Sequence, residues 1–435
     1  MNQHLKQLSA VHYDRGSPGP LFENWLEASD HREQRLLAVD FELPSPWAGQ
    51  GASTSLTAVY LAGCEAGVKL MVTDQRLADD GPAEAQALFD LWQSQCAAVA
   101  YWPGKPLPLE PLSIPKPWGQ EIWYTGIEER GVCQFVDGHR RTPIPWLQAA
   151  VPDHALGPPG TPPVLLKILD PSAEPVTGDL YFELHDEKRE VYVVTHVDPE
   201  AWPDGVGAIR YGFDPERVAA AGSDNAFRAQ YLEAVRAYER VRRALDALPP
   251  GEEASADVLS EEARLRANMD AFTAMRPLRV GDVVRVPLLL PHSLQHGVRT
   301  VEFQTPVYER QILSFAQKVL TQDHWDTAEA VQRMTLVAPP PEPFDPIAEQ
   351  PGMLVERIVD FEDFEVCRAR LAGTVSWLPS GNRYSVVMVI SGALALPGLN
   401  LGPEQAAMLP AGFGVPLQPA EGGEETVVLV ASPRR

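Results

Sequence analysis

The chain has 435 residues, 45% of them hydrophobic and 22% charged, the make-up of an ordinary folded protein long enough for about three domains. Its formal charge of −23 at pH 7 argues against nucleic acid, whose phosphates need a basic face, and means that any anionic ligand must be met by a local cluster of Lys and Arg. No run of about 18 apolar residues is present, so no membrane span is expected. The start, MNQHLKQLSAVHYDRG, lacks the apolar stretch of a signal peptide, and the scattered cysteines, Cys64, Cys96, Cys133 and Cys367, read as reduced core thiols of a cytoplasmic protein.

In chain order, SLTAVYLAGCEAGVKLMV (55–72) suits buried strands, and PAEAQALFDLWQSQCAAVAYW (82–102) has helical spacing through Ala87, Leu88, Leu91 and Trp92. PGKPLPLEPLSIPKPWG (103–119) reads as a linker, because proline fixes the backbone and removes donors. Residues 120–214 are strand-rich, with EIWYTG, GVCQFV, PPVLLKIL, DLYFEL and REVYVVTHV separated by Gly, Pro and Asp. FRAQYLEAVRAYERVRRALDAL (227–248) and SEEARLRANMDAFTAM (260–275) are amphipathic helices. Ser260 is the N-cap candidate of the second, with Glu261 and Glu262 at the positive end of its dipole and Ala263 where a capping box needs Glu or Gln. Strands return from 278, residues 309–334 read as helical, 338–346 is a second proline linker, and 352–435 is again short strands. Two strand-rich blocks with tight turns suggest two β-barrels or sandwiches, one with a helical insertion.

Within GDLYFELHDEKREVYVV (178–194), Glu183 and His185 are two apart and so share a strand face. Glu190 joins them if residues 186–189 form a hairpin turn. In GDVVRVPLLLPHSLQH (281–296), Pro287 lies six positions after Gly281 and His292 five after Pro287. This pair of segments resembles the two signatures of the cupin superfamily. The departures are Glu183 at the first ligand position, Leu289 where a glycine is usual, and His296 where Asn is common. The resemblance implies that Glu183, His185, Glu190 and His292 converge on one divalent ion inside a jelly-roll barrel. Two imidazoles and two carboxylates suit Zn, Fe, Mn or Ni. An alternative for each piece is a packed histidine or a solvated turn.

A wider resemblance follows in order: KPWGQEIWY (116–124), PPVLLKILD (162–170), the Glu183–His185–Lys188–Glu190–Tyr192 cluster, VGDVVRVPLLLPHSL (280–294), VEFQTPVYERQI (301–312) and HWDTAEAVQRM (324–334). Together these segments resemble the type I mannose-6-phosphate isomerase family over residues 116–435. The resemblance implies a mainly β fold: a metal-binding cupin barrel over 106–214 and 276–337, interrupted by a helical insertion over 215–275, and a degenerate second barrel over 338–435. Residues 1–105 lie outside it and are expected to form an N-terminal α/β accessory domain of unassigned role.

By the same resemblance the activity is a zinc-dependent aldose–ketose isomerisation of mannose 6-phosphate to fructose 6-phosphate or of a related sugar. Glu302 matches the family's acidic residue on the strand after the metal histidine, and Arg310 its catalytic arginine. Lys116 and Lys167 could meet a phosphate, with strand-edge solubility as the alternative; Trp118 could wall a sugar or simply fill core; His296 shares a strand face with His292 and could line the cavity or sit at its rim. Departures cluster near substrate: Glu183 replaces Gln, the Ser of a Ser-x-Gln-x-His-Pro run is absent from Tyr181-Phe182-Glu183-Leu184-His185-Asp186, and Thr305-Pro306 replaces Ser-Asp. Two other classes therefore stay open: a non-catalytic carbohydrate-binding cupin, and an iron-dependent cupin oxygenase.

Overall fold

A computed structural model describes residues 2–28, 33–64, 67–249, 251–319, 322–420 and 425–434. They are mainly β and fall into two compact units: Met1–Leu112 with Trp123–Leu166 and Phe344–Arg435, and Ser113–Ile122 with Lys167–Pro343. No sheet closes on itself among the described residues. Among the described residues, no helix is long and apolar enough to cross a membrane.

In the first unit, strands Val11–Arg15, Arg35–Pro44, Ser53–Cys64 and Gly67–Thr73 form a sheet in that order, the first pair parallel. The run LLAVDF is buried throughout, as a central strand covered on both faces must be. Helix Ala85–Cys96 buries Leu88, Phe89 and Trp92 against this sheet's core, the i, i+1, i+4 spacing of an inward stripe. The same unit holds a seven-stranded sheet built from 345–433 and closed at one edge by Leu107–Pro108. The proline-rich stretch 103–119 is thus partly strand: Leu107–Pro108 and Leu112–Lys116 each lie at a sheet edge, where a missing N–H costs no ladder bond. Cys96, Cys133 and Cys367 are buried and unbonded, and burial pushes the Cys133 and Cys367 thiols up to about 12.

The second unit is built on two sheets. One runs in the order Val283–Val286, Glu190–Val197, Val298–Gln304, Leu165–Pro171, Gly119–Trp123, Leu112–Lys116, and the other in the order Thr273–Leu278, Gly207–Phe213, His292–Leu294, Phe182–Leu184, Gln311–Ser314. Tyr192, Val194 and Val284 from the first share one core with Leu184, Ile209, Leu294 and Ile312 from the second. Helices Asp224–Asp246 and Ala256–Asp270 pack on the five-stranded sheet, with Phe227 and Tyr231 meeting Phe213 edge-on at 5.1 and 5.0 Å.

Three local expectations are corrected. Ser255, not Ser260, caps the second helix, accepting from the Val258 amide at 3.4 Å. Both serines are followed by acids, and the earlier start adds a turn that still buries Leu265 and Met269. Among the described residues of 309–334, Thr327–Arg333 alone is α-helical; Gln311–Ser314 is a strand against Phe182–Leu184. Its Ile312 and Leu313 are fully buried there, so tertiary pairing overrides local propensity. Finally, 186–189 is not a hairpin turn, because Phe182–Leu184 and Glu190–Val197 belong to different sheets. That connection crosses between them.

Gly178 precedes this region and admits no side chain: a Cβ there lies 1.9 Å from the Ser172 carbonyl oxygen and 2.8 Å from His296 Cβ. Gly178→Ala is expected to destabilise the protein by about 1–3 kcal/mol, the usual cost of overpacking. Urea unfolding measures it as a lower midpoint at unchanged slope.

Candidate metal centre

The site is assembled by the crossover. Glu183 on its short strand is the direct register partner of His292. His185 follows at the strand's end, and Glu190 opens the Glu190–Val197 strand of the facing sheet. Asp186 and Glu187 donate their amides to Glu309 Oε2 at 3.0 and 3.3 Å, and Arg189 its amide to Thr305 Oγ1 at 3.0 Å. The other histidine arrives through Leu289, which takes the left-handed φ of 64°. That is the position where a glycine was expected, and a leucine there costs about 1–2 kcal/mol of backbone strain. Its N–H donates to the His185 carbonyl at 2.8 Å, and its side chain packs on the core, offsetting the strain.

Glu183, His185 and His292 offer donor atoms that all lie within 4.8 Å of one another. Glu190 lies among them: its Oε1 is 3.4 Å from His185 Nε2 and its Oε2 3.0 Å from His292 Nε2. His185, Glu190 and His292 are at most 2% exposed. His292 Nδ1 sits 3.0 Å from the Leu290 carbonyl. Donation there leaves Nε2 as an acceptor turned toward the Glu190 carboxylate, and a cation satisfies two such acceptors at once. Glu183 Oε2 and both nitrogens of His185 are buried without a hydrogen bond, which costs free energy unless something else binds them. The donor set therefore fits a divalent metal.

Electrostatics favour the ligating forms. Burial holds the His185 imidazole below its ordinary value, reinforced by the Lys188 charge, so the ring is neutral at pH 7. For Glu183, burial pushes upward but His185, Lys188 and Arg310 outweigh it, and the carboxylate stays ionised. Glu190 is held well below the ordinary range: burial opposes ionisation, and Lys188, His185 and His292 overcome it. Neutral imidazole and ionised carboxylate are what a metal needs.

A row of buried charges crosses the six-stranded sheet toward this centre. Lys116 lies 3.2 Å from Glu121, Glu121 3.6 Å from Lys167, and Lys167 3.2 Å from Glu302. Glu302 is the register partner of Tyr192, whose hydroxyl donates to Glu190 Oε2 at 2.6 Å. Burial pushes the Lys167 pKa down, but Glu121, Glu302 and Glu190 outweigh it and raise it. Burial, helped by Glu190 and Glu121, pushes the Glu302 carboxyl well up against the pull of Lys167. Sequence reasoning missed Glu121 altogether, and it placed Lys188 and Tyr192 in the ligand segment without giving either a role. A signal existed for Glu121: it shares strand parity with the buried Trp123, and a charge at a core position is rarely unpaired.

The remaining candidates lie as follows. Arg310 stacks over the Tyr181 ring at 4.5 Å, and its charge reaches Glu183. Trp118 is buried in the core of the unit. Lys116, on an edge strand, and Lys167, on a central one, are both engaged by carboxylates. His296 takes part in a separate cluster: Nδ1 is 2.7 Å from Asp179 Oδ1, and the ring stacks on Trp202 at 4.8 Å. Burial pushes the Asp179 carboxyl up, but the His296 ring and amide bonds hold it below the ordinary 3.8. A lowered carboxyl contributes stability above its unfolded pKa and loses it as pH falls through the folded value. Asp179→Asn should therefore lower the thermal midpoint at neutral pH and converge on the wild type in acid, which a set of melts between those limits checks.

The two packed sheets thus form a sandwich that buries a His/Glu donor set fitting a divalent metal. Among solved structures, the fold is shared with mannose-6-phosphate isomerases. That of Bacillus subtilis aligns at 14% identity over 75% of this chain and 99% of that one, TM-score 0.52. The Salmonella typhimurium enzyme, solved with fructose 6-phosphate and zinc, aligns at 13% over 75% and 99%, TM-score 0.53. A zinc-bound mannose 6-phosphate isomerase aligns at 14% over 75% and 99%, TM-score 0.54. At these identities the likeness establishes the fold. No family model matches the chain, and no curated protein matches it in sequence.

Proposed function

We propose that this protein is a divalent-metal-dependent aldose–ketose isomerase acting on a sugar phosphate, with mannose 6-phosphate and fructose 6-phosphate as its first candidate pair. The observation that carries the reading is the convergence of Glu183, His185, Glu190 and His292 beside the Glu302–Lys167 pair. In this reading the four side chains hold the ion, zinc being the first choice, within a jelly-roll sandwich made by the two facing sheets. The metal, when bound, acts as a Lewis acid toward substrate oxygens. The protein's own groups do the rest. Glu302, whose carboxyl burial holds above its ordinary range, exchanges the proton between C1 and C2. Lys167 holds Glu302 in place, and Arg310 meets negative charge on the sugar oxygens.

Stoichiometric metal together with fructose 6-phosphate formation in a coupled assay supports this reading; metal without turnover of any hexose phosphate removes the substrate half. A second reading, a carbohydrate-binding protein without catalysis, is favoured by Glu183 in place of Gln and by the absent Ser and Ser-Asp elements. Sugar-induced thermal stabilisation without turnover identifies that case.

A further inference from the structure

We propose that Lys188 is a tethered cation that shares Glu190 with the divalent ion, so that metal loading and the Lys188–Glu190 ion pair exclude one another. This rests on the metal-binding reading above. Lys188 is 6% exposed, and its Nζ lies 2.5 Å from Glu190 Oε1, the same oxygen that is 3.4 Å from His185 Nε2. The other oxygen of Glu190 is bonded by Tyr192 and faces His292. A metal at Glu190 must therefore share an oxygen that already accepts from Lys188 or from Tyr192. A divalent ion among the four donors would also stand close to an ammonium in a dry interior, where like charges repel strongly.

The backbone on both sides of Lys188 is clamped by Glu309 and Thr305, so the segment stays put. Only the flexible four-carbon stem can move. The ammonium thus neutralises buried carboxylates when no metal is held, and gives up Glu190 when one is. The consequence is a chain that tolerates the metal-free state and admits metal at reduced affinity.

The test compares wild type, Lys188→Gln, Lys188→Met and Lys188→Arg by zinc competition against a chromophoric chelator and by thermal melts with and without zinc. The glutamine and methionine variants should bind zinc about 10- to 100-fold tighter, the range over which groups next to ligands move affinity. They should melt below wild type without zinc and above it at saturating zinc. The arginine variant should stay near wild type. In the unaltered chain, acylation of Lys188 mapped by mass spectrometry should be faster with zinc, a readout that holds even if a variant fails to fold. Equal or weaker zinc affinity in both neutral variants, or zinc-independent acylation, overturns the proposal alone. Absence of zinc binding in every form overturns it together with the metal reading.

Discussion

His292→Ala is expected to lower divalent-metal affinity by at least about 100-fold, more than loss of an outer partner usually costs. In the proposed centre the imidazole supplies a donor to the ion, and it is one end of the contact to Glu190 at 3.0 Å. Removing it leaves a buried carboxylate facing an empty pocket. The strand it sits on keeps its register with Glu183 and Tyr211, and Leu294 still anchors it in the core. The fold should therefore survive while the metal is lost. Elemental analysis after dialysis, beside a circular dichroism spectrum, separates the two effects. His185→Ala should behave alike, because neither of its ring nitrogens makes a hydrogen bond that the fold would lose.

Lys167→Met is expected to cost about 3–5 kcal/mol of stability, the penalty for breaking a buried ion pair from one side. Lys167 stands between Glu121 and Glu302. Lys116 still faces Glu121 in the variant, but among the described residues Glu302 keeps no other ion pair. The pH dependence carries a sign. Glu302 already has a raised pKa, from burial first and neighbouring carboxylates second. A raised carboxyl contributes stability below its unfolded pKa and loses it as pH rises through the folded one. Without Lys167 the pKa rises further, so the deficit is largest at neutral pH and shrinks in acid. Urea unfolding at several pH values reads this, and Lys167→Met with Glu302→Gln should recover part of the loss.

Much of the site could be read from residue types alone. Glu183 and His185 two apart, Glu190 shortly after and His292 on a later strand are spacings that short-range rules can interpret, and these side chains do meet. How they meet was not legible. A hairpin over 186–189 would also have joined Glu183 to Glu190, and local rules cannot distinguish a turn within one sheet from a crossing between two. The distinguishing contacts are to Thr305 and Glu309, more than a hundred residues away. The same non-locality explains Gln311–Ser314: its helical pattern is real, but pairing with Phe182–Leu184 buries Ile312 and Leu313.

The long helix is the opposite case. Its apolar stripe through Phe227, Tyr231, Ala234, Val235 and Tyr238 is written at helical spacing and is buried as written. Lys116 and Lys167 show a further limit. As single letters they suggest solvent or phosphate; only the sheet order brings Glu121 and Glu302 beside them.

The central claim is that Glu183, His185, Glu190 and His292 hold one divalent ion. Crystals of the zinc-loaded protein, with anomalous data collected at the zinc edge, test it most directly. The account predicts a single strong peak per chain, about 2.0–2.2 Å from both imidazole Nε2 atoms and from an oxygen of each carboxylate. A peak elsewhere, or full zinc loading with any of the four side chains turned away from the ion, would contradict it.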